Sequence, residues 1–244
     1  MLPALPPTFA ATRESLRALA CYAVSPARKA RTGRIGLRSH EGGIATPPFE
    51  DGRRISVRGD QLMSSTGETA PITTVSAAAQ FLGVDLSPDP GVGHDLPPFN
   101  PDAELAVDRE ASLVLGAWYE YADQVLGALA ASLPGDVTVS EAQLWPEHFD
   151  LAVVVTVTAT VAATGAAMEL KADVGFSPGD VHSAEPYAYV GPYDRDGLDR
   201  RDGYWNAPFG SSLGYRALSS EAEPDAAALR FIEDGLGRLR RPPA

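Results

Sequence analysis

The sequence predicts an α+β fold in which antiparallel sheet regions pack with four helices, and three observations carry that expectation. Apolar residues recur at helical spacing in four segments, each with its own punctuation. Runs rich in Val, Ile, Thr and Tyr lie between them, separated by Gly-rich and charged turns. The order helix, strands, helix occurs twice, which suggests two similar halves, 8–84 and 103–244, joined by a Pro-rich linker at 85–102 and forming one composite domain over 1–244.

The first helix places Leu16, Leu19, Ala20, Ala23 and Val24 on one face, with Thr12 as its cap and Pro26 as its stop. A short second helix follows Thr74, turns Val75, Ala78, Ala79 and Leu82 inward and ends at Gly83. The third runs from Asp108 to Leu133, with Ala111, Leu115, Trp118, Ala122, Val125 and Leu129 spaced in alternating steps of four and three. The last starts near Ser220 or Pro224 with a Ser220 to Glu223 capping box, and Arg238, Arg240 and Arg241 suit the negative end of its dipole.

Between helices one and two, GRIGLR, GGIATPPF and RRISVRGDQLM read as short strands of a small sheet. Between helices three and four, DVTVSEAQLW, FDLAVVVTVTATV, AMELKADVGF and EPYAYVGPY read as a second antiparallel region, with a hairpin turn at Ala163, Thr164 and Gly165. Leu151 to Met168 carries no charge and has the length of a short membrane span. Its alternation of Thr156, Thr158 and Thr160 with Val155, Val157 and Val161 has the period of a strand, so no membrane is expected.

A chain of 244 residues hides about 70% of its extended surface on folding, which is ample for a core without a staple. The one cysteine, Cys21, falls on an apolar helix and reads as a buried thiol. With an N-terminus unlike a secretory leader, it points to the cytoplasm. The protein is acidic, net charge −12, which disfavours nucleic acid as a partner. The charge is uneven: residues 1–60 hold ten Lys and Arg against five acids, and residues 85–185 hold two against seventeen.

Chemistry-bearing residues concentrate in 144–194. Glu147, His148 and Asp150 precede one strand of the proposed 151–175 hairpin, and Asp180, His182 and Glu185 follow its partner, so both groups are expected at the open end. Imidazole and carboxylate ligands suit zinc or manganese, although the spacing is not that of an established signature. Trp145, Tyr187, Tyr189, Tyr193, Tyr204, Trp205 and Phe209 supply rings with polar handles that suit a ligand wall or a partner surface, and Tyr187 and Tyr189, on the same side of a strand, would equally complete the core beneath the third helix. Gly210 to Gly214 spells GxSxG around Ser212, the pattern of a hydrolase nucleophile, but its flanks read as a poor strand and a weak helix start. Asp194, Asp196, Asp199 and Asp202 lack the glycine and glutamate of a calcium loop, and no phosphate-binding glycine pattern is complete.

The segments TGRIGLR, TPPF, LWPEHFD, GFSPGD, EPYAYVGP and YWNAPFG, in this order, resemble an uncharacterised actinobacterial protein family of similar length. The resemblance spans most of the chain and implies no activity, cofactor or catalytic residue.

The leading expectation is small-ligand binding at the hairpin's open end, with or without a divalent metal. Trp145, Tyr187, Tyr189 and Trp205 would contact the ligand, and Glu147, His148, Asp150, Asp180 and His182 are the metal candidates. The alternatives are a hydrolase that uses the same His and carboxylate group or Ser212, and a non-catalytic interaction protein.

Overall fold

The computed structural model describes residues 2–160, 167–196, 198, 200–201 and 203–239, and it mixes helices with antiparallel strands as the α+β class requires. The chain gathers into two compact units. The N-terminal unit comprises Pro3–Glu120 and Gln143–Leu151; the C-terminal unit comprises Met1–Leu2, Tyr121–Ala142 and Ala152–Ala244. The Pro-rich segment 85–102 lies inside the N-terminal unit. Its Val92, Leu96 and Phe99 pack with Cys21, Tyr22 and Val75, so the segment contributes core despite its prolines.

In the N-terminal unit, α1 (Phe9–Leu19) continues through a five-residue π-helical turn (Ala20–Val24) into α2 (Ser25–Thr32). Pro26 does not stop this helix. It occupies the first turn of α2, directly after the wider π turn in which Ser25 N–H reaches back to Ala20 O, and the stop comes at Gly33 with φ 70°. Thr12 is likewise not a cap. It is buried inside α1, where its hydroxyl donates to Ala106 O (3.3 Å) and accepts from Asp108 N–H (3.0 Å).

The first sheet is an antiparallel meander in the order β1 (Arg38–His40), β2 (Gly43–Ala45), β3 (Ser56–Arg58), β4 (Gln61–Met63) and β5 (Thr69–Pro71). Glu41 and Gly42, both at positive φ (47° and 71°), form the tight β1–β2 turn. β5 is an additional strand that the sequence pattern did not reveal. Helix α3 (Val75–Leu82) matches expectation: the Thr74 hydroxyl accepts Ala77 N–H at 3.0 Å and Gly83 closes the far end at φ 68°.

Helix α4 (Arg109–Ser132) also follows the sequence, with Asp108 Oδ1 accepting Ala111 N–H at 2.8 Å. Ala111, Leu115, Trp118, Ala122, Val125 and Leu129 are all buried. Within the N-terminal unit, Gly116 lets the β1–β2 turn approach closely, and Glu120 Oε1 accepts Gly42 N–H at 2.5 Å. β7 (Gln143–Trp145) belongs to this unit, where Leu144 and Leu37 exchange backbone bonds of 2.7 and 2.9 Å.

The second sheet runs β11–β10–β9–β8–β6, from β6 (Val137–Val139), β8 (Asp150–Thr160), β9 (Ala167–Ser177), β10 (Tyr187–Pro192) and β11 (Ser211–Gly214). The predicted turn at Ala163 to Gly165 lies outside the described residues. The apolar run from Leu151 is a strand, and among the described residues no helix is long and apolar enough to cross a membrane.

The last helix is in fact two, α5 (Tyr215–Ser220) and α6 (Pro224–Leu239). Ser220 makes no capping box; its hydroxyl donates to Ala217 O at 2.8 Å and closes α5, while Pro224 opens α6. Arg238 pairs with Asp234 one turn back at 3.0 Å, and Arg240 and Arg241 lie outside the described residues.

Candidate functional site

Strand alternation sorts the residues of β9, β10 and β11 onto two faces. Val190 lies against Gly235 of α6, and Tyr121 of α4 meets the Phe176 ring edge-on at 5.7 Å, so Val174, Phe176, Ala188 and Val190 form the face that packs under helices. Tyr187 and Tyr189 therefore point to the opposite face. They do not complete a core beneath α4.

Directly opposed residues share a face, which places Ser177 and Gly214 beside Tyr187, and Gly175 and Ser212 beside Tyr189. The glycines make room for rings. A Cβ on Gly175 would sit 2.7 Å from the Tyr189 hydroxyl and 2.8 Å from the Ala152 Cβ. Phe209 completes the surface, stacked on Tyr187 at 6.0 Å and edge-on to Tyr189 at the same separation. Gly210, at φ 147°, brings Phe209 to this position by running so close to β10 that a Cβ there would meet Val190 O at 2.2 Å.

The loop 178–186 adds His182 to the same rings, edge-on to Phe209 at 4.9 Å and to Tyr187 at 5.4 Å. Asp180 organises this loop. Its Oδ1 accepts the backbone N–H of His182 (2.8 Å) and Ser183 (3.2 Å), and its Oδ2 accepts the Tyr187 hydroxyl (2.7 Å). His182 is exposed, and its Nε2 lies 3.3 Å from Ser212 Oγ. Asn206 clasps the outer backbone edge of Ser212: Oδ1 accepts Ser212 N–H (2.8 Å) and Nδ2 donates to Ser212 O (3.0 Å).

The remaining predicted residues have other roles. Trp205 is 4% exposed and packs edge-on to Tyr204 at 4.8 Å, so it is a core ring rather than a ligand contact. Trp145, Glu147, His148 and Asp150 belong to the N-terminal unit, where LWPEHFD is a turn whose carbonyls serve as acceptors. Arg17 Nε donates to Glu147 O (2.7 Å), the Cys21 thiol to Pro146 O (3.1 Å), and Phe149 N–H to Trp145 O (2.7 Å). His148 is exposed, Asp150 is buried, and the Glu147 side chain packs over Gly93. Among the described residues no group of three His, Cys, Asp or Glu side chains is placed to hold a metal ion. Asp199 and Asp202 lie outside the described residues.

Phe209 and Asn206 are the members of the site with the least sequence signal. Both fall in YWNAPFG, whose proline masks the turn that swings Phe209 over β10. The N-terminal unit also carries an apolar cleft of about 320 Å³ beside Tyr22, Val75, Pro97 and Leu105, and a wider one of about 730 Å³ beside Arg31 and Phe49. In the latter, Arg31 is already committed to Ser65 (2.7 Å) and to the Phe49 ring (4.7 Å). No family model, curated protein or solved structure matches the chain.

Proposed function

We propose that this protein binds a small ligand with a flat, apolar portion on the shelf made by His182, Tyr189 and Phe209, with the buried Tyr187 ring as the base on which His182 and Phe209 rest. The observation that carries the reading is the set of four rings, with neighbouring centroids between 4.9 and 6.2 Å, on the sheet face away from the helices. Tyrosine and histidine rings present apolar faces with polar tips, the combination by which ligand sites gain both area and orientation. His182 Nε2 and Ser212 Oγ supply the polar end. The reading needs no metal, because the Asp180 carboxylate is already engaged by Tyr187 and two backbone donors.

Titration with 4-nitrophenol and indole, followed by tyrosine fluorescence and amide chemical shifts, tests the reading. Saturable shifts at residues 182, 187, 189 and 209 that vanish in Phe209→Ala are expected. Shifts that are absent, or unaltered by that substitution, would overturn it. We also propose a reducing, cytoplasmic setting, supported by the buried thiol of Cys21, and membership of the actinobacterial family that the motifs resemble.

A further inference from the structure

We infer that Ser212 is an acyl-transfer nucleophile with His182 as its base, acting on small aryl esters whose ring lies on the aromatic shelf; the inference rests on the ligand-binding reading above. Two independent observations meet at one residue. Ser212 is the central serine of Gly210-Ser211-Ser212-Leu213-Gly214, and the imidazole placed beside it comes from a separate loop, 30 residues away, with Nε2 at 3.3 Å from Oγ. That separation matches the looser nucleophile–base contacts of unliganded sites.

Both partners are held. The His182 ring is wedged edge-on to Phe209 and Tyr187, and its backbone N–H is tied to Asp180. The Asn206 amide fixes the backbone of Ser212, with Oδ1 also 3.5 Å from the Ser212 Oγ, so Asn206 is a positioning residue. The arrangement is not the elbow of the α/β-hydrolases. Ser212 lies within edge strand β11 and its backbone is outside the left-handed region. Its backbone N–H is spent on Asn206 rather than aimed at an oxyanion. The chemistry is thereby restricted to esters with a good leaving group, and an aryl oxide is both that and a ring for the shelf.

The step balances without a co-reactant. Neutral His182, with its hydrogen on Nδ1, takes the Ser212 proton on Nε2 as Oγ bonds the acyl carbon. The bond from acyl carbon to aryl oxygen then breaks, and the aryl oxide recovers that proton from Nε2. Water attacks the acyl-serine ester, passes its proton to Nε2, and Oγ departs and is reprotonated, leaving a carboxylic acid and a phenol.

The test uses the full chain with 4-nitrophenyl acetate turnover and a fluorophosphonate probe mapped by mass spectrometry. Labelling at Ser212 is expected, with ester hydrolysis lost in Ser212→Ala and slowed about 100-fold in His182→Ala, the size of a general-base contribution. Ser212→Ala should melt like the parent, which separates loss of the nucleophile from loss of the fold. Labelling that is absent, or confined to another residue, overturns the inference. If 4-nitrophenol binds the shelf while Ser212 stays unlabelled, only this inference fails; if 4-nitrophenol does not bind, the shelf itself fails.

Discussion

The Tyr119 hydroxyl donates to the carbonyl of Phe149 at 2.5 Å, and the two rings meet edge-on at 5.8 Å. Phe149 is one of two described non-glycine residues at positive φ (57°), a conformation that a bulky side chain adopts only when its surroundings impose it. Both residues are buried in the N-terminal unit, and burial, followed by the charge of Asp150, pushes the Tyr119 phenol well above its ordinary range. The hydroxyl is therefore a permanent donor that pins the LWPEHFD turn. Tyr119→Phe should cost about 1–3 kcal/mol, the penalty for stranding a buried acceptor. Urea denaturation checks it, and an unchanged midpoint would refute the pinning role.

This turn shows where sequence reading succeeded and where it did not. Periodicity found α4 and α3 to within a residue or two, because Asp108 and Thr74 cap by local bonds and the apolar stripe is regular. The same periodicity ran through the π turn unnoticed, since one wider turn shifts the face without removing apolar residues. Glu147 and His148 looked like ligands because polar side chains in an aromatic motif suggest chemistry, yet the motif's backbone carbonyls are what the unit uses. His182 was legible as a candidate, and Ser212 as a doubtful pattern. Their pairing was not, because it depends on β11 joining the sheet beside β10, and a Pro-containing approach to a four-residue strand carries almost no periodic signal.

Gly116 faces the Gly42 carbonyl so closely that an added Cβ would sit 1.9 Å from the oxygen. The obstacle is backbone, which cannot swing aside like a side chain, so Gly116→Ala must push the β1–β2 turn off the helix and disturb the Glu120 to Gly42 bond. Helix propensity alone would favour alanine by up to about 1 kcal/mol. Overpacking should win, giving a net destabilisation of about 1–3 kcal/mol. A raised melting temperature in this variant would contradict the close approach.

Alkaline pH should weaken the fold in part through Cys21. Burial pushes its thiol from an ordinary 9.0 to about 12, with the Arg17 charge opposing and the Glu147 charge adding. Between those values the unfolded chain has released the proton that the folded chain keeps, so the unfolded state binds fewer protons and stability falls as pH rises. Below the lower value both states are protonated and this group adds no slope. Burial likewise raises Tyr215 from 10.0 to about 12, with the same sign. Cys21→Ala should show a shallower loss of stability than the parent from about pH 9 upward, by at most about 1.4 kcal/mol per pH unit. Parallel denaturation curves across that range would remove Cys21 from the alkaline response.

Gly175 tests whether the aromatic shelf is a built surface or an incidental cluster. It faces Tyr189 across the β9–β10 ladder, and the missing side chain leaves the space that the Tyr189 ring and hydroxyl fill. In Gly175→Ala the new methyl meets side-chain atoms rather than backbone, so the strand can survive if Tyr189 turns away and the strands shift slightly to ease the 2.8 Å approach to the Ala152 Cβ. The shelf cannot survive in its present form, because Tyr189 would leave Phe209 and Tyr187, each such ring pair contributing about 0.5–1.5 kcal/mol. The expected result is weaker 4-nitrophenol binding, with amide-shift changes at 187, 189 and 209 and a melting temperature lowered by only a few degrees, as about 1 kcal/mol implies for a chain of this size. Binding at parental strength, with the Tyr189 signals displaced, would show that the ligand does not use this face of the sheet.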